Sequence, residues 1–167
     1  MKTILETERL TLREFTTDDA AFIVELVNSP GWLRYIGDRN IKTTEQAKAY
    51  LENGPMKSYR DNGFGLAMVE IKDTKEKIGM CGIIKRDSLE NPDIGFAFLP
   101  QFMGQGYAAE VAHATLFYAK DKLKLPVILA ITVANNAQSI KLLEKIGLKF
   151  VHTIMSPENE ELLLYST

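Results

Sequence analysis

The feature that most constrains this chain is the junction Leu99-Pro100-Gln101-Phe102-Met103-Gly104-Gln105-Gly106-Tyr107-Ala108-Ala109-Glu110. A strand-like run ends at Pro100, a turn carries two glycines one residue apart, and a helical pattern starts at once. The first amides of a helix have no partner inside it, and the helix dipole favours negative charge there. Without a Cβ, Gly104 and Gly106 let the main chain come close to an anion. The pattern predicts a phosphate or diphosphate on the amides of about Met103 to Ala108; a plain tight turn is the structural alternative. Two familiar phosphate loops are excluded. The dinucleotide fingerprint would have Ala109 as its third small residue, but the next strand ends at Val133-Ala134-Asn135-Asn136 with no acid to hold a ribose. The Walker loop needs Gly-Lys-Ser/Thr, which does not occur.

The segments around this junction read as one α/β domain over residues 1–167. Leu10 and Leu12 alternate with Thr11 and Arg13, the period of a half-buried strand. Helix starts stand at Thr17-Asp18-Asp19 and at Thr43 with Gln46 in capping-box spacing, and Asn28-Ser29-Pro30-Gly31 and Asn53-Gly54-Pro55 break the helices that follow. Residues 65–72, 78–85 and 94–99 read as a meander, with Gly95 inside its last strand marking a bulge or a close approach. The pattern then changes. Residues 106–122 form a helix with Ala108, Val111, Ala112, Leu116 and Ala119 on one face, and 127–133 form a strand. Residues 136–146 form a helix closed by Gly147, and 150–154 and 162–165 finish a mixed, mainly antiparallel sheet.

Composition narrows the function classes. Twenty Lys+Arg against 22 Asp+Glu give a net charge of −2 with both signs interspersed, which argues against a cationic nucleic-acid grip. The single cysteine, Cys81, rules out an intrachain disulfide and a cysteine zinc cluster, and with only two histidines no His-only zinc site can form, so no metal is expected. No apolar run reaches the roughly 18 residues needed to span a bilayer, and a charge at Glu6 comes too early for a secretory segment. The expectation is a soluble protein of the reducing cytoplasm, monomeric or homodimeric, with no nucleic-acid or membrane partner.

Gln101-Phe102-Met103-Gly104-Gln105-Gly106 resembles the pyrophosphate loop of the GNAT superfamily of N-acetyltransferases, Arg/Gln-x-x-Gly-x-Gly/Ala. Three further segments are similar to the branch that includes the ribosomal-protein N-terminal (RimJ/RimL-like) acetyltransferases. Glu8-Arg9-Leu10-Thr11-Leu12-Arg13 resembles its opening strand, and Asp93-Ile94-Gly95-Phe96 its Glu-Ile-Gly-Tyr strand. Asn136-Ala137-Gln138-Ser139 with Leu143-Glu144-Lys145-Ile146-Gly147 resembles its late helix, although Leu148 replaces the final aromatic. The matches run from residue 8 to 150 in the family's order.

The resemblance implies a twisted sheet with flanking helices and a splay between two central parallel strands, 94–99 and 127–133. It implies transfer of the acetyl group of acetyl-CoA to a primary amine by direct attack in a ternary complex. Cofactor contacts fall to Phe96, Phe98, Leu99, Gln101, Met103, Gly104, Gln105, Gly106, Tyr107, Ala108, Asn136 and Ser139. Pantetheine pairs with main chain near Phe96 and Phe98, and the Phe96 N–H serves the oxyanion. Asp93 stands where the branch has Glu and is the candidate base, acting through water because it is one methylene shorter; a loop cap after Asn91-Pro92 is its alternative role. The family's thiol-side tyrosine position is held by Leu143, which leaves Ser139 for that part. Asn136 is equally an ordinary N-cap.

Trp32 and Tyr35, with Ile36, are candidate walls of an acceptor pocket or simply packing residues. His113, His152 and the Lys120–Lys124 cluster read as structural or surface groups, and Cys81 as a small core residue rather than a reactive thiol. The acceptor is a protein N-terminal α-amine or a small-molecule amine such as a polyamine, an antibiotic or an amino-acid analogue. A CoA-binding sensor or interaction module without catalysis is the rival from another class.

Overall fold

Proline decides more of the chain's first third than its breaker role suggests. In the computed structural model, which describes residues 2–167 (Met1, the first residue of the predicted domain, lies outside them), Pro30 and Pro55 each open a helix. A first-turn residue needs no amide partner and proline's φ is already helical, so the same residues end one helix and start the next. The order is β1 (Thr3–Glu6), β2 (Leu10–Arg13), a 3-10 turn (Thr17–Asp19), α1 (Ala20–Val27), α2 (Pro30–Tyr35), α3 (Thr44–Asn53) and α4 (Pro55–Asn62). There follow β3 (Leu66–Ile71), β4 (Lys77–Ile84), β5 (Asp93–Phe98), a 3-10 turn (Pro100–Phe102), α5 (Tyr107–Asp121), β6 (Leu129–Thr132), α6 (Ala137–Lys145), β7 (Lys149–Met155) and β8 (Glu161–Ser166). β1, α2 and α4 go beyond the sequence reading. The capping box at Thr43 and Gln46 forms as expected, whereas the first helix start is capped one residue earlier than Thr17, by Thr16 with Asp19.

The strands make one sheet in the order β1-β2-β3-β4-β5-β6-β8-β7, antiparallel throughout except for the parallel pair β5–β6. Helices cover both faces. On one, Val111, Ala112, Leu116 and Ala119 of α5 pack with Leu10, Leu12, Val69, Ile83, Ile94 and Phe98. On the other, Phe22, Ile23, Leu26 and Leu51 of α1 and α3 meet Met68, Met80 and Leu99. No bulge breaks the β4–β5 register at Gly95; a Cβ there would sit 2.8 Å from Ile84 Cδ1, so the glycine marks a close approach.

A buried ion network ties the sheet to the first helices. Arg13 Nη1 and Nη2 each donate to Asp19 at 2.9 Å, Arg13 Nε donates to Glu70 at 3.0 Å, and Lys77 Nζ stands 2.8 Å from Asp19 Oδ1. α6 ends in a Schellman motif: Gly147, at φ 101°, donates its amide to Glu144, and Leu148 donates to Leu143.

Candidate active site

The site begins where the sheet comes apart. Between β5 and β6 only Asp93 and Leu129 are in register, next to a bond from the Leu129 amide to the Pro92 carbonyl. Beyond that pair the strands diverge, so the V is closed at Asp93 and open at the strands' C-terminal ends. Amides alternate in direction along a strand. The Leu99 amide bonds to Ile78 beside β4, so Gly95 and Ala97 face β4 too, and the polar main chain of Phe96 and Phe98 faces the gap. Their side chains lie elsewhere: Phe98 is buried beneath α5 and Phe96 packs at its margin.

At the open end both helices present their N-termini, as ligands in open α/β sheets require. The loop after β5 passes through Gly104 at φ 77° and Gly106 at φ 82°, left-handed conformations that favour glycine. Gly106 is the N-cap of α5, with no side-chain cap, which leaves first-turn amides of Tyr107 and Ala108 free for an anion. A Cβ on Gly104 would meet nothing within 4 Å, so the space beside it is open. Gln101, Met103 and Gln105 are exposed around the turn, where Gln105 Nε2 donates to the Gln101 carbonyl at 3.2 Å. Residues 101–108 line the turn, with Leu99 behind it, its side chain buried against the α1–α3 face. The Met103 amide, expected to face the anion, is instead donated to the Pro100 carbonyl at 3.2 Å, which closes the 3-10 turn and leaves the open amides at Gly104 to Ala108.

Across the gap, Asn136 caps α6 by accepting the Ser139 amide at 3.2 Å. The bond uses the serine's main chain, and the half-buried Ser139 Oγ is left for other work. Leu143, one turn further on, is fully in the core and brings no polar group.

The closed end holds Asp93, only 1% exposed, with Arg86 Nε 3.0 and 3.2 Å from its two carboxylate oxygens. Burial pushes its pKa above the ordinary carboxylate value, and the Arg86 guanidinium pulls it back only in part. Asp93 thus sits at a strand's start with its pKa raised, about 20 Å of extended chain from the glycine loop. Tyr50 of α3 lies in the same charge field: burial raises its pKa, and Arg39 and Arg86 are near enough to oppose the rise. Neither Arg86 nor Tyr50 stands among the site residues expected from the sequence. The one signal available was Arg86 in the loop leading to the Asp93 strand.

Trp32 and Tyr35 stand on α2, whose Gly31 lies against the loop: a Cβ there would be 3.9 Å from Met103 Cε. Trp32 is buried with Leu99 and Met80, and its Nε1 has no hydrogen-bond partner, while Tyr35 is half-buried beneath the Arg34 guanidinium. Cys81 is fully buried against Thr115, and burial pushes its thiol up to about 12, so it is no nucleophile. His113 and His152 are exposed and far apart in the fold, on α5 and β7. Among the described residues no helix is long and apolar enough to cross a membrane.

Comparison with known proteins agrees with this geometry. Residues 9–149 match the acetyltransferase (GNAT) domain family. The uncharacterized N-acetyltransferase YoaA of Bacillus subtilis is 32% identical over 145 residues, 86% of this chain and 81% of its own length. The crystal structure of an acetyltransferase from Agrobacterium tumefaciens superposes with a TM-score of 0.84 at 26% identity, covering 100% of this chain and 94% of that one. RimL, a ribosomal L7/L12 α-N-protein acetyltransferase solved with coenzyme A, shares the fold with a TM-score of 0.83 at 14% identity, over 99% of this chain and 97% of its own. The chain belongs to the GNAT family and is an acetyl-CoA-dependent acetyltransferase.

Proposed function

We propose that residues 1–167 act as one domain that acetylates a primary amine, the α-amine of a protein N-terminus, by direct attack in a ternary complex with acetyl-CoA. The observation that carries this reading is the gap between β5 and β6, opening onto a loop whose two glycines are left-handed. Bound there, acetyl-CoA supplies an activated acyl carbon. The amides of Gly104 to Ala108 hold its diphosphate with Gln101 alongside, and Phe96 and Phe98 offer main-chain groups to the pantetheine arm. The Phe96 N–H faces the carbonyl oxygen as charge develops on it, a contact worth a few kcal/mol in such sites. As the new C–N bond forms and the C–S bond breaks, Ser139 Oγ gives a proton to the leaving sulfur and recovers one, through solvent, from the acylated nitrogen, and Asn136 holds the helix end in place.

The base argument favours an α-amine. Such a group, with a pKa near 7.7–8.0, is on the order of one-tenth neutral at pH 7, whereas a lysine is about one-thousandth neutral. A single carboxylate already tied to Arg86 and reached through water suffices for the first and is poorly suited to the second. Asp93 takes the ammonium proton by that route. Trp32 and Tyr35, on the helix beside the loop, form the wall against which the acceptor chain lies.

The test is thioester cleavage, read as free thiol, across short peptides with free or blocked N-termini, spermidine and an aminoglycoside. Turnover of free N-terminal peptides and loss on blocking supports the proposal. Turnover of the polyamine or aminoglycoside alone moves the acceptor to small molecules. CoA binding without any turnover makes the chain a sensor.

A further inference from the structure

The glycine loop has an electrostatic problem that its own residues do not solve. From Pro100 to Ala119 there is no Lys or Arg, and the one carboxylate, Glu110, stands in the first turn of α5. A diphosphate seated on the same helix start would face that negative charge. The opening-strand segment singled out in the sequence supplies the missing cation from the far end of the chain. Arg9, in the turn between β1 and β2, donates Nε to Glu110 Oε1 at 2.8 Å, and its own amide donates to Glu110 Oε2 at 3.0 Å. The Thr7 hydroxyl donates to the same carboxylate. Arg9 Nη1 donates to the Gln105 carbonyl at 3.0 Å, and the guanidinium carbon lies 4.4 Å over the Tyr107 ring. A Cβ on Gly106 would stand 3.3 Å from Arg9 Nη2, so the glycine also makes room for the arginine.

The Gln105 carbonyl and the Gly106 amide belong to one planar trans peptide and point in opposite directions. Holding that carbonyl on Arg9 turns the Gly106 N–H away from Arg9, towards the open side of the loop. We propose that Arg9 is a positioning residue for the diphosphate seat: it fixes the Gln105–Gly106 peptide plane and neutralises Glu110, so that the loop receives an anion without rearrangement. This rests on the diphosphate reading of the loop and goes beyond it, because it gives the segment before β2 a part in cofactor affinity. Neither Arg9 nor Glu110 touches the acetyl group.

The experiment compares CoA dissociation constants by calorimetry with kcat/KM for two donors, acetyl-CoA and S-acetylpantetheine, which lacks the diphosphate. Arg9→Ala is expected to weaken CoA by about tenfold to a hundredfold, the usual loss when charge-assisted bonds are removed. It should leave kcat/KM for S-acetylpantetheine within about twofold, since that donor does not use the seat. Arg9→Lys should rescue little, because an ammonium lacks the planar fork that reaches both Glu110 and Gln105. Adding Glu110→Gln to Arg9→Ala should recover part of the affinity, and amide exchange over residues 103–108 should speed up in Arg9→Ala alone. An Arg9→Ala protein that binds CoA like wild type overturns the proposal. So does one that loses both donors equally, which marks a general structural role, and Arg9→Gln is the second variant should the alanine not fold. If wild type itself fails to bind CoA, the diphosphate reading falls, and this proposal falls with it.

Discussion

Asp19 and Asp93 are equally hidden, each 1% exposed, and each meets an arginine, yet they titrate in opposite directions. Burial raises the pKa of both. At Asp19 the opposition is overwhelming: two bonds from Arg13, the Lys77 ammonium and the Thr16 amide bring it down to about 2. At Asp93 the opposition is Arg86 and the residue's own amide, and burial wins. More donors at Asp19 and deeper surroundings at Asp93 together separate a carboxylate that locks the fold from one whose pKa is raised near the closed end of the cleft. The difference also has a place. Asp19 joins a 3-10 turn to β2 and β4 where nothing needs to move, and Asp93 stands where two parallel strands begin to part.

The largest effect expected from this contrast is on folding. Asp19→Ala leaves the buried Arg13 with Glu70 alone and the half-buried Lys77 without its partner, and should lower unfolding free energy by about 3–5 kcal/mol, read by urea denaturation. Because its folded pKa lies below the ordinary 3.8, the stability Asp19 contributes is complete above that value and disappears as pH falls towards 2. Acid unfolding of wild type should therefore steepen below pH 4, and the Asp19→Ala curve should be flatter there. Equal acid profiles would break the contrast from the structural side.

Asp93→Asn tests the other side. With a raised folded pKa, Asp93 makes its largest contribution when protonated, and that contribution declines as pH rises through the window above 3.8. The amide should thus leave stability at pH 7 within about 1 kcal/mol, unlike Asp19→Ala. Its kcat should fall about a hundredfold, a common magnitude for a lost general base, with CoA affinity unchanged. Loss of stability comparable with that of Asp19→Ala would put both aspartates in one structural class. A smaller and sharper test is Arg86→Gln. Since Arg86 lowers the Asp93 pKa, the acid limb of kcat/KM should move to higher pH while the rate at its plateau falls by about tenfold or less. A limb that moves down, or stays, means the proton sits elsewhere.

What the sequence showed of all this follows the same division. Backbone chemistry was legible: a glycine pattern at a strand–helix junction is local, and Gly104, Gly106 and the cap at Asn136 fall as expected. Side-chain chemistry was not, because its partners come from far along the chain. Arg13 and Asp19 look like surface charges until β3 and β4 close over them, and Arg86 gives no periodic signal in its loop. Arg9 was visible only as part of a motif, and its contacts with Gln105 and Glu110 span about a hundred residues. Pro30 and Pro55 misled in another way, since a residue that breaks one helix is favoured at the start of the next.

The smallest effect expected lies between these classes, at Ser139. Its N–H is committed to Asn136 Oδ1, so the residue is structural through its main chain, and any chemistry rests on Oγ. Ser139→Ala keeps the cap and should leave the thermal midpoint unchanged, whereas Asn136→Ala removes it and should destabilise by about 1 kcal/mol. A thiol with a pKa near that of cysteine, about 8.5, leaves tolerably well as the anion, so protonation by Oγ adds little at neutral pH. The kcat of Ser139→Ala should fall by only about threefold to tenfold. The loss should grow for a donor whose leaving thiol is more basic, because that group depends more on a proton in the transition state. A loss that ignores the leaving group would return Ser139 to the helix cap and leave solvent as the acid.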